Sequence, residues 1–172
     1  MGNTPRIGIL GLGFMGRTHL ASFRSAEKDG LATVTAALDP TGGAPTGGNL
    51  STGSDAPDLT GISLHRDVDR FFDEAKVDAV SICTPTDTHV ALAKRALERG
   101  LHVLCEKPVA LHSGEIRALA QTARAAGRVC MPAMVMRFWP GWAWLRERIH
   151  DRLYGALKTL TLERLGSRPK WN

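Results

Sequence analysis

The segment "LHVLCEKPVAL" (101–111) sets Glu106, Lys107 and Pro108 directly against the end of an apolar run, His102 to Cys105. An ammonium group at the mouth of a low-dielectric crevice can stabilise a developing alkoxide and, when desolvated, can exchange a proton. Taken alone, such a lysine reads more readily as a solvated surface charge. A second stretch, "GLGFMG", places Gly11, Gly13 and Gly16 in the G-x-G-x-x-G arrangement. Gly11 permits a tight turn, Gly13 lets backbone approach a pyrophosphate, and Gly16 lets helix and strand pack closely. The amides of Phe14 and Met15 would open the next helix, where the dipole favours phosphate. A glycine-rich turn with no ligand is the plain alternative. Asp39 closes the second apolar run; its carboxylate can accept from ribose hydroxyls and would repel a 2′-phosphate. Pro40-Thr41-Gly42 add no Arg or Lys, so a dinucleotide here would be NAD rather than NADP. In "CTPTDTH" (83–89), Thr84-Pro85 would turn backbone over a cofactor and Thr86 would cap a helix. His89 then falls in that helix's first turn, where a structural role is commoner than a catalytic one.

These residues need a scaffold that brings chain segments far apart in sequence to one place. Short apolar runs alternate with helical periodicity, the signature of parallel βαβ units and an α/β, doubly wound, Rossmann-type sheet. Strands are predicted at 6–11, 33–38, 79–83 and 102–105, and a helix from about Phe14 to Ala26. Val90, Ala93 and Leu97 line one helix that stops at Gly100; Ile116, Leu119, Ala120 and Ala123 line another, capped by Ser113 and ending at Gly127. Residues 129–135 read as a further strand, at an edge or bulge because of Pro132. The Gly-, Thr- and Pro-rich stretch 39–61 is expected to form a long mobile loop where a helix would be regular. Trp142, Leu145, Ile149 and Leu153 mark an amphipathic helix ending at Gly155, and 156–165 alternate like a half-buried strand.

The 172 residues suit one ordinary domain, or one domain plus the start of another. No apolar run reaches the roughly 18 to 20 residues of a membrane helix, and the N-terminus lacks a signal-peptide pattern. Cys83, Cys105 and Cys130, odd in number and set in apolar runs, read as free thiols of a cytoplasmic protein, with no spacing for a metal site. The net charge of +5 is uneven: residues 124–172 carry +7 and residues 1–123 carry −2. A basic tail raises nucleic-acid binding as a minor alternative, but no recognisable nucleic-acid motif accompanies it.

In this order and spacing, "GLGFMG", "CTPTDTH" and "HVLCEKPVAL" resemble the N-terminal NAD-binding domain of the Gfo/Idh/MocA oxidoreductases. "MRFWPGWAWLRERIHDRLYGALKTLTLERL" (136–165) is similar to that family's crossing helix and the entry to its second domain. The resemblance implies a dinucleotide-binding domain over 1–138, then a crossing helix and first strand of an α+β substrate domain over 139–172. It implies hydride transfer between a nicotinamide and the secondary alcohol of a sugar, cyclitol or related polyol. Lys107 then matches the catalytic lysine that hydrogen-bonds the reacting oxygen. Glu106 would orient Lys107 and meet the cofactor, and Pro108 would follow a cis bond. Arg137 would lie near the cleft. His89, Glu106, Lys107 and Arg137 thus join Gly11, Gly13, Phe14, Met15, Gly16, Asp39, Thr84 and Pro85 in the expected cofactor-facing set.

The sequence also departs from the family pattern. The loop after the second strand replaces a helix, and Thr86 stands where Asn is commoner. The family's second domain, with an Asp and a His completing the catalytic set, is not contained in these residues. The expectation is a truncated oxidoreductase that binds NAD with little turnover. The alternative is a non-enzymatic dinucleotide-binding or regulatory short form that pairs with a partner, or with itself, through residues 156–165.

Overall fold

The computed structural model describes residues 4–43, 57–163, 165 and 166. They divide into two compact units between Ala133 and Met134. The N-terminal unit is built on β1 (Arg6–Leu10), β2 (Thr33–Leu38), β3 (Ser63–His65), β4 (Ala79–Ile82), β5 (His102–Cys105) and β6 (Cys130–Pro132). They form one six-stranded sheet in the order β3-β2-β1-β4-β5-β6, with every pairing parallel. Helices α1 (Phe14–Lys28), α2 (Val68–Glu74), α3 (Thr86–Glu98) and α4 (Ser113–Ala125) alternate with the strands. This is the doubly wound Rossmann order, whose strand sequence reverses between β1 and β4.

Alternation along each strand fills two cores, one on each side of the sheet. Leu10 of β1 joins Phe71, Leu97 and Leu119 from α2, α3 and α4 in one cluster, while Ile7 and Ile9 join Leu20 of α1 in the other. A large apolar side chain buried this completely contributes roughly 1.5–3 kcal/mol. Strand β2 breaks the alternation: Val34 and Ala36 enter opposite clusters. The register with β1 slips between Ile7 and Gly8, so Thr35 is an extra residue on β2. Strand β6 lies at the sheet edge, where Pro132 costs no ladder bond on its far side.

Four features differ from the sequence expectation. Strand β3 and helix α2 lie just past the glycine-rich stretch and were not foreseen. β3 is only three residues long, and α2 is held by Asp67, which accepts from the Arg70 amide at 2.9 Å, and by buried Phe71 and Phe72. Residues 44–56 of the expected loop lie outside the described residues. On α4, Leu119 and Ala123 face the core but Ile116 is 43% exposed. Thr86 and Ser113 are the first residues of their helices rather than caps; Pro85 and His112 precede them.

The second unit contains a 3₁₀ turn, Val135–Phe138, and helix α5 (Pro140–His150), none of whose residues is buried. The helix ends one turn earlier than expected, followed by turns with Arg152 at φ 52° and Gly155 at φ 85°. Residues 156–163 form no strand, correcting the expectation for 156–165. An extended segment without a neighbouring strand leaves its N–H and C=O groups unladdered, so alternation alone does not produce a strand. Among the described residues no helix is long and apolar enough to cross a membrane.

Candidate functional site

The carboxyl ends of β1 and β4 flank the point where strand order reverses, the place where such sheets hold ligands. The glycine loop fills the β1 end. Gly11 has φ +88°, and a Cβ there would lie 2.9 Å from the Cys83 carbonyl oxygen; at Gly16 a Cβ would lie 1.8 Å from the Gly11 oxygen. Both positions therefore exclude any side chain. Gly13 precedes α1 as its N-cap with extended backbone at φ −62°. The first helical bond of α1 runs from the Arg17 amide to the Gly13 oxygen at 3.0 Å. The Phe14, Met15 and Gly16 amides come before it, without a helical carbonyl, and no acid occupies that turn. A pyrophosphate fits those donors.

Asp39, 7% exposed, ends β2 beside this loop. Its Oδ2 accepts from the Leu12 amide at 2.7 Å. Its Oδ1 accepts from the Thr41 amide at 2.8 Å, the Thr41 hydroxyl at 2.5 Å and the Gly43 amide at 3.3 Å. Burial pushes the carboxyl up, but the bonds from Thr41, Leu12 and Gly43 outweigh it and hold it below the ordinary 3.8. Oδ1 thus carries three donors and Oδ2 one, so a lone pair of Oδ2 is left for a further donor such as a ribose hydroxyl. Asp39 is a fastener of the glycine loop first. The structure also brings Arg66 to this corner, its Nη2 3.1 Å from where a Gly42 Cβ would sit. Arg66 is 27 residues beyond Asp39 in the chain, and only the β2–β3 pairing puts it there.

At the ends of β4 and β5, the Thr84-Pro85 and Lys107-Pro108 turns lie side by side, and Lys107-Pro108 is cis as expected. His89, 1% exposed, bridges them: Nε2 lies 2.8 Å from the Thr84 oxygen and Nδ1 2.9 Å from the Pro108 oxygen. Both ring nitrogens face carbonyls, so His89 clamps the two turns to one another. The Thr84 hydroxyl accepts from Thr88 at 2.7 Å, which stiffens the same turn.

Glu106 is 6% exposed, and its carboxylate ties the turn after β5 to α1. Its Oε2 accepts from the Lys107 amide at 2.9 Å, and its Oε1 lies 3.1 Å from His19 Nε2. On the other side of the ring, His19 Nδ1 lies 2.8 Å from the fully buried Ser81 hydroxyl of β4. Sequence reasoning missed His19. The available signal was its place three residues after Gly16, on the face of α1 that packs closest to the sheet. Lys107 itself is exposed, so the described residues do not desolvate it. Arg137 is an exposed residue of the second unit.

Burial disfavours the thiolate at all three cysteines. Burial pushes Cys83 up to about 12 against the pull of the Ser81 hydroxyl, and the Glu106 charge adds to it. Cys105 is likewise raised to about 12, by burial first and then by its neighbouring thiols and Glu106. Among the described residues no group of three His, Cys, Asp or Glu side chains gathers as a metal would require.

Residues 5–134 match the family model for the Gfo/Idh/MocA oxidoreductases, described as an oxidoreductase family with an NAD-binding Rossmann fold. An inositol 2-dehydrogenase from Rhizobium meliloti is 30% identical over 159 residues, covering 92% of this chain and 44% of that protein. A UDP-N-acetylglucosamine 3-dehydrogenase from Acidithiobacillus ferrooxidans is 32% identical over 160 residues, covering 93% and 45%. The scyllo-inositol dehydrogenase of Lactobacillus casei, solved with NAD(H) and scyllo-inositol, superposes with a TM-score of 0.70. It is 25% identical over 88% of this chain and 42% of that one. The chain spans less than half the length of the relatives it matches.

Proposed function

The chain belongs to the Gfo/Idh/MocA oxidoreductases, and on that footing we propose that its crevice holds NAD for hydride transfer to or from the secondary alcohol of a sugar, cyclitol or related polyol. The observation that carries this reading is the pairing of two strand ends. A turn that admits no side chain at Gly11 or Gly16 closes β1, and a lysine after a fastened carboxylate closes β5, with the switch point at β4 adjoining both. When bound, the nicotinamide ring supplies the hydride acceptor or donor. The Phe14 and Met15 amides hold the pyrophosphate, and the Thr84-Pro85 turn walls the site. As the neutral amine Lys107 Nζ would take the proton of the alcohol when hydride leaves, and as the ammonium it would return that proton to the oxygen in the reverse reduction. Glu106 acts on Lys107 through its main chain, at 2.9 Å.

At the ribose, the ionised Asp39 disfavours a 2′-phosphate while Arg66 pulls the other way, so the preference for NAD is one of degree. Free thiols at Cys83, Cys105 and Cys130 support a reducing, cytoplasmic setting. Titration calorimetry of this chain with NAD and NADP tests the proposal. The expected result is saturable NAD binding, with NADP weaker by about tenfold, the order of one lost charge-assisted contact. No heat with NAD at millimolar concentration would sink it.

A further inference from the structure

We infer that His19, on the helix that opens from the phosphate loop, is a positioning residue for Lys107. The inference rests on the reading of Lys107 as the lysine of the hydride site, but its geometry stands on its own. His19 is held at both ring nitrogens, by Ser81 on β4 at 2.8 Å and by Glu106 at 3.1 Å. Glu106 spends its second oxygen on the Lys107 amide at 2.9 Å. One continuous path thus runs from α1 through an imidazole and a carboxylate into the main chain of Lys107. The His19 and Glu106 side chains are 14% and 8% exposed, so water replaces neither partner easily.

Removing the imidazole leaves a buried carboxylate oxygen without a donor. The alternatives are to keep that oxygen unpaired, which is costly, or to swing the carboxylate toward solvent. Swinging releases the Lys107 amide, and with it the direction in which the residue leaves the strand end. The same step couples the two halves of the crevice, because α1 carries the phosphate donors at its first turn and His19 at its second.

Amide hydrogen exchange of the whole chain, read at Lys107 with Val80 and Ile82 of β4 as internal standards, tests this without any need for turnover. In His19→Leu, Lys107 exchange is expected to accelerate about tenfold or more while the β4 amides stay unchanged, because one charge-assisted bond is lost locally. His19→Gln, whose side-chain amide can still donate to Glu106, is expected to stay within about threefold of wild type. Unchanged Lys107 exchange in His19→Leu would overturn the inference. So would equal acceleration at Val80 and Ile82, which would make His19 a core residue only, and so would His19→Gln behaving like His19→Leu. Failure of NAD to bind would leave these amide rates untouched, so the two readings fail separately. Should His19→Leu not fold, His19→Gln against His19→Met, both unbranched, carries the same comparison with the same outcomes.

Discussion

Asp39 and Glu106 are both buried carboxylates at the carboxyl end of a parallel strand, yet their surroundings differ in kind. Every partner of Asp39 is a donor: three main-chain amides and a hydroxyl. Glu106 faces one main-chain amide and one imidazole, whose Nε2 donates to the carboxylate but could accept from an amide put in its place. The Asp39 corner is locked in one arrangement around the backbone of Leu12, Thr41 and Gly43. The Glu106 corner can adjust, and it holds the turn from which an exposed lysine projects. Acid at a strand end is therefore a fastener before it is a ligand, and its partners decide how rigid the fastening is.

The difference can be broken by amide substitution. Asp39→Asn sets an NH₂ against groups that only donate, apart from the Thr41 hydroxyl, and is expected to cost about 2 kcal/mol in urea unfolding. Glu106→Gln should cost less, about 1 kcal/mol. Its carbonyl can keep the Lys107 amide while its NH₂ donates to His19 Nε2, and the tautomer shift then lets Nδ1 donate to Ser81. Equal costs at the two sites would remove the contrast.

Acid sharpens it. The Asp39 carboxyl lies lower folded than the ordinary 3.8, so its contribution is complete above that value and is lost as pH falls through the lower native one. The stability gap between wild type and Asp39→Asn should accordingly stay constant from pH 7 to about 4 and shrink below it, as thermal melts can follow. The smallest expected effect is that of Lys107→Ala. An exposed side chain should change stability by no more than about 0.5 kcal/mol and leave NAD affinity within about twofold, measured by calorimetry. A large loss of affinity would place Lys107 among the binding groups instead.

Much of the first unit was legible in the chain. Buried parallel strands read as continuous apolar runs, so 33–38 and 102–105 were found to the residue, and Pro132 announced an edge. The glycine spacing was legible because backbone clearance leaves only one residue type at Gly11 and Gly16. β3 and α2 were not, since three and seven residues are too few for periodicity to register. The 156–165 segment misled in the opposite sense: alternation was present, but a strand also needs a neighbour.

Local chemistry by itself determined where the turns fall, which runs are buried, and that a lysine follows a carboxylate at a strand end. Those features depend on residues adjacent in the chain. The tertiary structure alone decided what each polar group spends its bonds on. His89 was turned into a clamp, Asp39 into a loop fastener, and His19 was joined to Glu106 across 87 residues of chain. Hydrogen bonds are short and directional, so their pairing is set only once the parallel sheet brings distant strand ends within 3 Å or so of one another.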